Sequence, residues 1–319
     1  MIHSPPMKNA VIRERRYGLT RRLTRWGYDV TLNLPRIRKA DNVAGRPIFV
    51  IGSGRSGNTL VRRVLLASGQ VYVPPETYVL GDILETWHRG TGLPWQHRVW
   101  LFCGHFERHP HFATFGIDSL NDFAAEAVEL PRSRRNIRSL INLFYLHLAR
   151  HAGSNAQRWG EKSPWNVYHL PAIGWHYPDA CYLWLVRDGR DAALSYLEAQ
   201  LYPDLATSAR RWTEANQACD RFAARIGRVR RQRYEDLVAH PEREFAEIFE
   251  WAGLQFDAKM LESQTGPMGD VEALAHHANV RKPISAASVG RWQRGLDTDD
   301  LAALPRDFWA QMERLGYGA

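Results

Sequence analysis

The sequence predicts an α/β fold in three layers, a mainly parallel central sheet with helices on both faces, and three observations carry that prediction. An apolar segment, Pro47 to Ile51, runs into a glycine-rich loop, Gly52-Ser53-Gly54-Arg55-Ser56-Gly57, and from there into a helix-forming stretch. A second apolar run, Cys181 to Val186, lacks polar alternation and so reads as a strand covered on both faces. Around these two, short strand-like segments alternate with amphipathic helices, the pattern of a parallel sheet joined by crossovers.

Each element follows from local pattern. Thr59 to Ala67 places Leu60, Val64 and Leu65 on one helical face. Strand, glycine loop and helix in that order form a P-loop arrangement, so the sandwich is expected to be P-loop NTPase-like. Val71 to Val73 is a short strand stopped by Pro74-Pro75, and Thr77 to Trp87 reads as a helix. Leu93 to Phe115 is rich in aromatics and histidines and is read as a surface or acceptor-side loop. Its His105, His109 and His111 lack the carboxylate or thiolate spacing of a metal pattern, and Pro110 interrupts helical ligand spacing, so no metal is expected. Ser119 to Leu130 and Ser133 to His151 are amphipathic helices. Ile137, Leu140, Ile141, Phe144 and Leu148 mark the buried face of the second.

Arg158 to Lys162 is a short strand leading into Ser163-Pro164, and Asn166 to His176 follows as a helix. Asp188 stands at the N-cap of a helix running to Glu198. Asp204 to Ile226 is a long helix, Gly227 to Arg233 a basic strand, and Tyr234 to Trp251 a turn and helix broken at Pro241. Val280 to Gly295 is irregular and basic, and Pro305 to Leu315 closes the chain as a helix.

The 319 residues suffice for one large core. Residues 46–319 are expected to form a single domain, with residues 1–45 as a basic N-terminal extension. Met1 to Arg46 carry eleven Lys/Arg against three acids, which accounts for the whole net charge of +8. Such a head suits peripheral contact with an anionic membrane or an acidic partner, and equally a solvated, partly helical arm that aids solubility. No zinc-finger, RNA-recognition or aromatic-basic platform signature is present, so no nucleic acid is expected as partner. Cys103, Cys181 and Cys219 are scattered, which argues against a disulfide framework. No segment approaches a membrane span or a secretory h-region, so the expected setting is cytoplasmic, with membrane contact peripheral at most.

The glycine loop has the G-x4-G frame of a phosphate cradle, whose backbone N–H groups and helix N-terminus attract anionic oxygens. Asn58 stands where a nucleoside-triphosphate loop has its lysine, while Arg55 lies inside the loop. The loop therefore suits a phosphate-like group other than a triphosphate. About 130 residues on, Leu185-Val186-Arg187-Asp188-Gly189-Arg190-Asp191-Ala192-Ala193-Leu194-Ser195 puts an Arg at a strand's carboxyl end and a Ser eight residues later. An Arg there faces the ligand crevice of an open sheet, and its fork can bind two phosphate oxygens.

Gly54 to Leu60 resembles the 5′-phosphosulfate loop of the sulfotransferases, and the Arg187–Ser195 segment is similar to that family's 3′-phosphate motif. Tyr234-Glu235-Asp236-Leu237, Arg281-Lys282-Pro283 and Gly290-Arg291-Trp292 resemble later family segments. Glu76-Thr77, Lys162-Ser163-Pro164 and Lys282-Pro283 look most like the tyrosylprotein branch and related bacterial enzymes. The resemblance implies that 3′-phosphoadenosine 5′-phosphosulfate (PAPS) is the donor and adenosine 3′,5′-bisphosphate the product. It implies that Arg55, Ser56, Gly57, Asn58 and Thr59 hold the phosphosulfate, Arg187 and Ser195 the 3′-phosphate, and Tyr234 and Lys282 further parts of the donor. It points to Glu76 as base, with Lys162 and Arg55 stabilising charge on the leaving phosphate; His105 and His169 are the alternative bases. Glu76 has a second reading, as a cap of the Thr77 helix, and Lys162 as a partner of Glu161. The expected acceptor is a hydroxyl of a carbohydrate or glycolipid; a tyrosine or small-molecule hydroxyl is the alternative. A P-loop kinase or a non-catalytic P-loop-derived binding protein are the rival functions.

Overall fold

The computed structural model describes residues 46–262 and 283–318. The basic extension, Arg281 and Lys282 lie outside those residues. Five strands form one sheet, β1 (Ile48–Gly52), β2 (Val71–Tyr72), β3 (Arg158–Glu161), β4 (Cys181–Val186) and β5 (Val229–Arg233), in the order β2-β3-β1-β4-β5. Every pairing is parallel, with Ile48 opposite both Gly160 and Cys181, and Tyr182 opposite Val229.

Side-chain alternation along the strands divides the core into two layers. Phe49, Ile51, Tyr182, Trp184 and Val186 point into one apolar cluster. Ile48, Val50, Cys181, Leu183 and Leu185 point into the other. The second layer is roofed by α1 (Asn58–Ala67), through Val61, Val64 and Leu65, and by a helix at Pro241–Ala252, through Phe245, Ile248 and Phe249. Each such side chain contributes about 1.5–3 kcal/mol by leaving water.

The larger layer is roofed by α2 (Leu80–Thr86), α3 (Trp95–Glu107), α4 (Asn121–Val128), α5 (Ile137–His151), α6 (Leu170–His176), α7 (Gly189–Glu198) and α8 (Leu205–Ala223). The chain continues through α9 (Tyr234–Ala239) and α10, the Pro241–Ala252 helix. A last long helix, Arg306–Arg314, packs Phe308 and Met312 against the same layer. The expected cap at Asp188 is present, accepting from Arg190 N; Asp204 and Asn136 cap α8 and α5 in the same way, accepting from Thr207 N and Ser139 N.

Four elements differ from expectation: the Asn166–His176 helix is a 3-10 turn to His169 and α-helical only from Leu170, the Ser133–His151 helix starts at Ile137, and two others differ more. Leu93 to Phe115 is not a loop: Pro94 precedes a 13-residue helix, α3, that buries Val99, Phe102, Cys103 and Phe106. The helix expected from Thr77 begins only at Leu80, because Tyr78 is left-handed at φ 56° and breaks the run. The three cysteines are free and buried. No helix among the described residues is long and apolar enough to cross a membrane.

Candidate active site

All five strands deliver side chains to the same edge of the sheet, the carboxyl edge where an open parallel sheet presents its ligand crevice. The glycine loop follows β1, Glu76 follows β2, Lys162 follows β3, Arg187 follows β4 and Tyr234 follows β5.

The loop is packed too tightly for side chains at its glycines. A Cβ on Gly54 would lie 2.6 Å from the Tyr196 hydroxyl, and one on Gly57 2.6 Å from the Tyr234 ring. Gly57 also sits at φ 94°, which L-residues avoid. Ser53 Oγ lies 3.1 Å from Tyr196 Oη, and Asn58 Nδ2 donates to Ser53 O at 3.2 Å. Asn58 is thus a brace of the loop. Ser56 Oγ and Asn58 Oδ1 are buried and have no protein partner. A buried donor without a partner costs about 1–3 kcal/mol, so the cradle retains hydrogen-bonding capacity for a ligand.

The two motifs that are 130 residues apart in sequence are wired together. Arg55 is left-handed at φ 64°, and its Nε donates to Ser195 Oγ at 3.0 Å. Arg187 Nη1 donates to Arg55 O at 2.9 Å, and its Nη2 to Ser288 O. The Arg187 guanidinium lies 4.7 Å over the Tyr234 ring, while Arg187 Nε is buried and has no protein partner. Burial lowers the Arg55 pKa; Arg187 pushes it the same way, while Tyr196, Glu198 and Glu76 oppose the shift. An anion bound between the two guanidiniums would relieve that repulsion.

Glu76 and Lys162 meet as an ion pair, Nζ to Oε1 2.8 Å, with the Lys162 side chain 1% exposed and that of Glu76 15%. Glu76 stands outside α2, whose N-cap is Val79, so it does not cap that helix. Nor is Glu161 the partner of Lys162. Adjacent residues at a strand end face opposite ways. Glu161 turns into the core, where it accepts from Thr77 Oγ1 at 3.2 Å, Tyr145 OH at 2.5 Å, Ser163 N at 3.0 Å and Asn166 Nδ2 at 3.1 Å, and from the Ser163 hydroxyl. Burial raises the Glu161 pKa, opposed by these hydrogen bonds. Its bonds to Thr77 and Ser163 tie together the residues that directly follow Glu76 and Lys162.

The segment after the undescribed stretch is anchored on α7. Asp191 accepts from Gly290 N at 2.8 Å and Trp292 N at 2.9 Å, and Arg190 lies 3.8 Å over the Trp292 ring. Glu235, in the first turn of α9, accepts from Asp188 N at 2.9 Å and from the Tyr317 hydroxyl at 2.7 Å, which ties the start of α9 to the start of α7. Sequence reasoning passed over Tyr196 and Asp191, and it considered Glu161 only as a partner of Lys162. Asp191 alone carried a signal, its position within the Arg187–Ser195 motif.

The alternative bases are placed differently. His169 is buried, with Nδ1 2.7 Å from Glu85 Oε1 and Nε2 3.9 Å from Asp82 Oδ1. His105 is exposed in the last turn of α3. His109 and His111 stack against Tyr78, at ring separations of 5.0 and 4.9 Å.

Known proteins share this organisation. A model of the sulfotransferase family matches residues 47–258, from β1 through α10. Protein-tyrosine sulfotransferase 2 of Gallus gallus is 24% identical over 287 residues, covering 85% of this chain and 69% of the relative. Protein-tyrosine sulfotransferase A of Caenorhabditis elegans is 24% identical over 286 residues, covering 85% and 67%. The sulfotransferase domain of the Synechococcus PCC 7002 olefin synthase shares the fold at TM-score 0.58 and 24% identity, over 89% of this chain and 100% of that one. The sulfotransferase domain from the curacin biosynthetic pathway does so at TM-score 0.58 and 18% identity, over 86% and 98%. With the matched span containing the glycine loop, Glu76, Lys162, Arg187 and Tyr234, the chain belongs to the sulfotransferase family.

Proposed function

We propose that the protein moves the sulfuryl group of PAPS to a hydroxyl of a carbohydrate or glycolipid acceptor, with Glu76 as the base. The observation that carries this reading is the convergence at one sheet edge of the Arg55 loop, Arg187 with Ser195, and the Glu76–Lys162 pair. The unpartnered buried donors, Ser56 Oγ and Arg187 Nε, fit a ligand with two separate anionic groups. In this reading Arg55, Ser56, Gly57, Asn58 and Thr59 bind the 5′-phosphosulfate, and Arg187 and Ser195 bind the 3′-phosphate. Tyr234 lies beneath Arg187 and against Gly57, and so keeps the two halves in register. Lys282 is assigned to the donor on sequence alone.

PAPS supplies an activated sulfuryl group and a phosphate leaving group. Glu76 removes the acceptor's proton as the new S–O bond forms, and general-base help of this kind is worth about 10²–10⁴ in rate. Lys162, already beside Glu76, directs its ammonium at charge developing on the leaving oxygen, and Arg55 does the same from the loop. The Asn58 amide braces Ser53 O with one of its two N–H groups and offers no ammonium, which supports a donor other than a nucleoside triphosphate.

For the acceptor, the ring cluster Tyr78–His109–His111 stands two residues past Glu76, and flat rings suit the C–H face of a sugar. A tyrosine hydroxyl is the second reading, favoured by relatives named as protein-tyrosine sulfotransferases. Incubation with sulfur-labelled donor and a panel of glycolipids, oligosaccharides and tyrosyl peptides separates the two. Label on a saccharide hydroxyl is expected; label on peptide tyrosine alone would overturn the carbohydrate reading.

A further inference from the structure

Four large apolar side chains are exposed among the described residues, and three of them, Leu93 (42%), Trp100 (51%) and Leu101 (53%), lie on or just before α3. The buried side of α3 consists of Val99, Phe102, Cys103 and Phe106. Its outer side, at helical spacing, presents His97, Trp100, Leu101, His105 and Arg108. The His97 and Trp100 rings pack at 5.2 Å, so the outer face is a continuous aromatic surface.

Charge decides what that surface suits. From Trp87 to Phe106 the sequence has no Asp or Glu, while it holds Arg89, Arg98, which lies 3.9 Å over the Trp87 ring, and three histidines; the exposed Asp82 is the acid that acts on His105. The next acid, Glu107, turns its carboxylate inward to accept from Leu120 N at 2.6 Å. The apolar face is bordered by the exposed cations Arg89 and Arg108. It complements an anionic lipid surface, where tryptophan takes the headgroup level and leucine the acyl boundary.

We infer that the outer face of α3, through Leu93, Trp100 and Leu101, docks the protein on an anionic lipid membrane. The geometry connects this contact to the reaction. Two residues beyond the end of α3, His109 and then His111 stack on Tyr78, two positions from Glu76. A docked bilayer thus lies beside the acceptor side of the crevice. That connection rests on the glycolipid reading; the docking itself does not.

The test is cosedimentation of the full-length protein with phosphatidylcholine vesicles, with and without about one third phosphatidylglycerol. Binding to the phosphatidylglycerol vesicles is expected. The Trp100→Ser/Leu101→Ser double variant should weaken it about tenfold, given the apolar area withdrawn from lipid. Trp100→Phe should keep most of it, because the apolar surface remains. The thermal shift produced by adenosine 3′,5′-bisphosphate should be unchanged in both variants, since neither side chain touches the donor crevice; that control holds whatever the acceptor proves to be. A companion variant, Arg15, Arg16, Arg21 and Arg22→Gln, separates the basic extension. Loss of all binding in that variant with none lost in the double serine variant would overturn the inference. So would wild-type protein that ignores both vesicle types, or a wild-type dimer in solution that the serine substitutions convert to monomer.

Discussion

Replacing Glu161 by alanine removes a buried carboxylate that ties the residues after β2 to those after β3, and its cost follows from the contacts. The side chain is 1% exposed and accepts from Thr77, Tyr145, Asn166 and both the N–H and hydroxyl of Ser163. After truncation Tyr145 OH can still donate to Thr77 Oγ1, at 3.3 Å. The Ser163 N–H, its hydroxyl and the Asn166 amide lose their acceptor in a dry site. Each such group costs about 1–3 kcal/mol, and the three are neighbours, so their costs do not simply add. A net loss of about 3–5 kcal/mol is expected, a fall in Tm on the order of 5–10 °C. Glu161→Gln keeps one acceptor oxygen but turns an NH2 toward groups that are themselves donors, and should cost about 1–2 kcal/mol. Calorimetric melting of the three proteins reads the series. Turnover of the Gln variant should fall as well, because Thr77 and Ser163 flank Glu76 and Lys162. An alanine variant melting within about 2 °C of wild type would refute the reasoning.

Glu76→Gln should lower kcat by about 10²–10⁴ and leave donor affinity near normal, as stopped-time assays and calorimetry can show; near-normal turnover would remove Glu76 as base. Gly57→Ala should abolish donor binding, since its Cβ would strike the Tyr234 ring at 2.6 Å in a backbone conformation at φ 94°; intact binding in a titration would show that the loop yields. His147 is buried on α5, and burial, then His151 and Arg150, push its pKa down to about 4. A depressed folded-state pKa means that its contribution is complete above about 6.5 and is lost as pH falls toward 4, by about 3 kcal/mol in all. His147→Leu should therefore flatten the decline of Tm between pH 6.5 and 4; an unchanged slope would assign the acid sensitivity elsewhere.

The parts of the fold legible in sequence were those written in local pattern. β4 is apolar throughout because both faces are covered, so its bounds, Cys181–Val186, could be read directly. Asp188 and Asp204 mark helix starts by local hydrogen bonds, whereas sequence reasoning passes over the cap at Asn136 and starts its helix at Ser133. α3 was hidden because Trp100 and Leu101 on its outer face blur the helical periodicity; Pro94 and the spacing of Val99, Phe102, Cys103 and Phe106 were the signals that could have found it. The late start of α2 depends on Tyr78, a residue type that does not advertise a positive φ. At the site, Arg55, Arg187, Ser195 and Tyr234 stood in motifs, whereas the packing of Tyr196 on Gly54 and of Tyr234 on Gly57 exists only once the strands are side by side. Glu161 and Lys162 are adjacent in sequence and opposite in space, which is why a pairing between them was a plausible reading and a wrong one.

The central claim is that Arg55 with its loop and Arg187 with Ser195 form a clamp for two separate anionic groups on one nucleotide. Isothermal titration of the full-length protein with adenosine 3′,5′-bisphosphate, AMP and ATP tests it most directly, with Arg187→Ala alongside. The account predicts that adenosine 3′,5′-bisphosphate binds at least tenfold more tightly than AMP or ATP. It predicts that Arg187→Ala removes that preference, weakening the bisphosphate by about 2–4 kcal/mol while AMP changes little. Equal affinity for the three nucleotides, or a preference that survives Arg187→Ala, would contradict it.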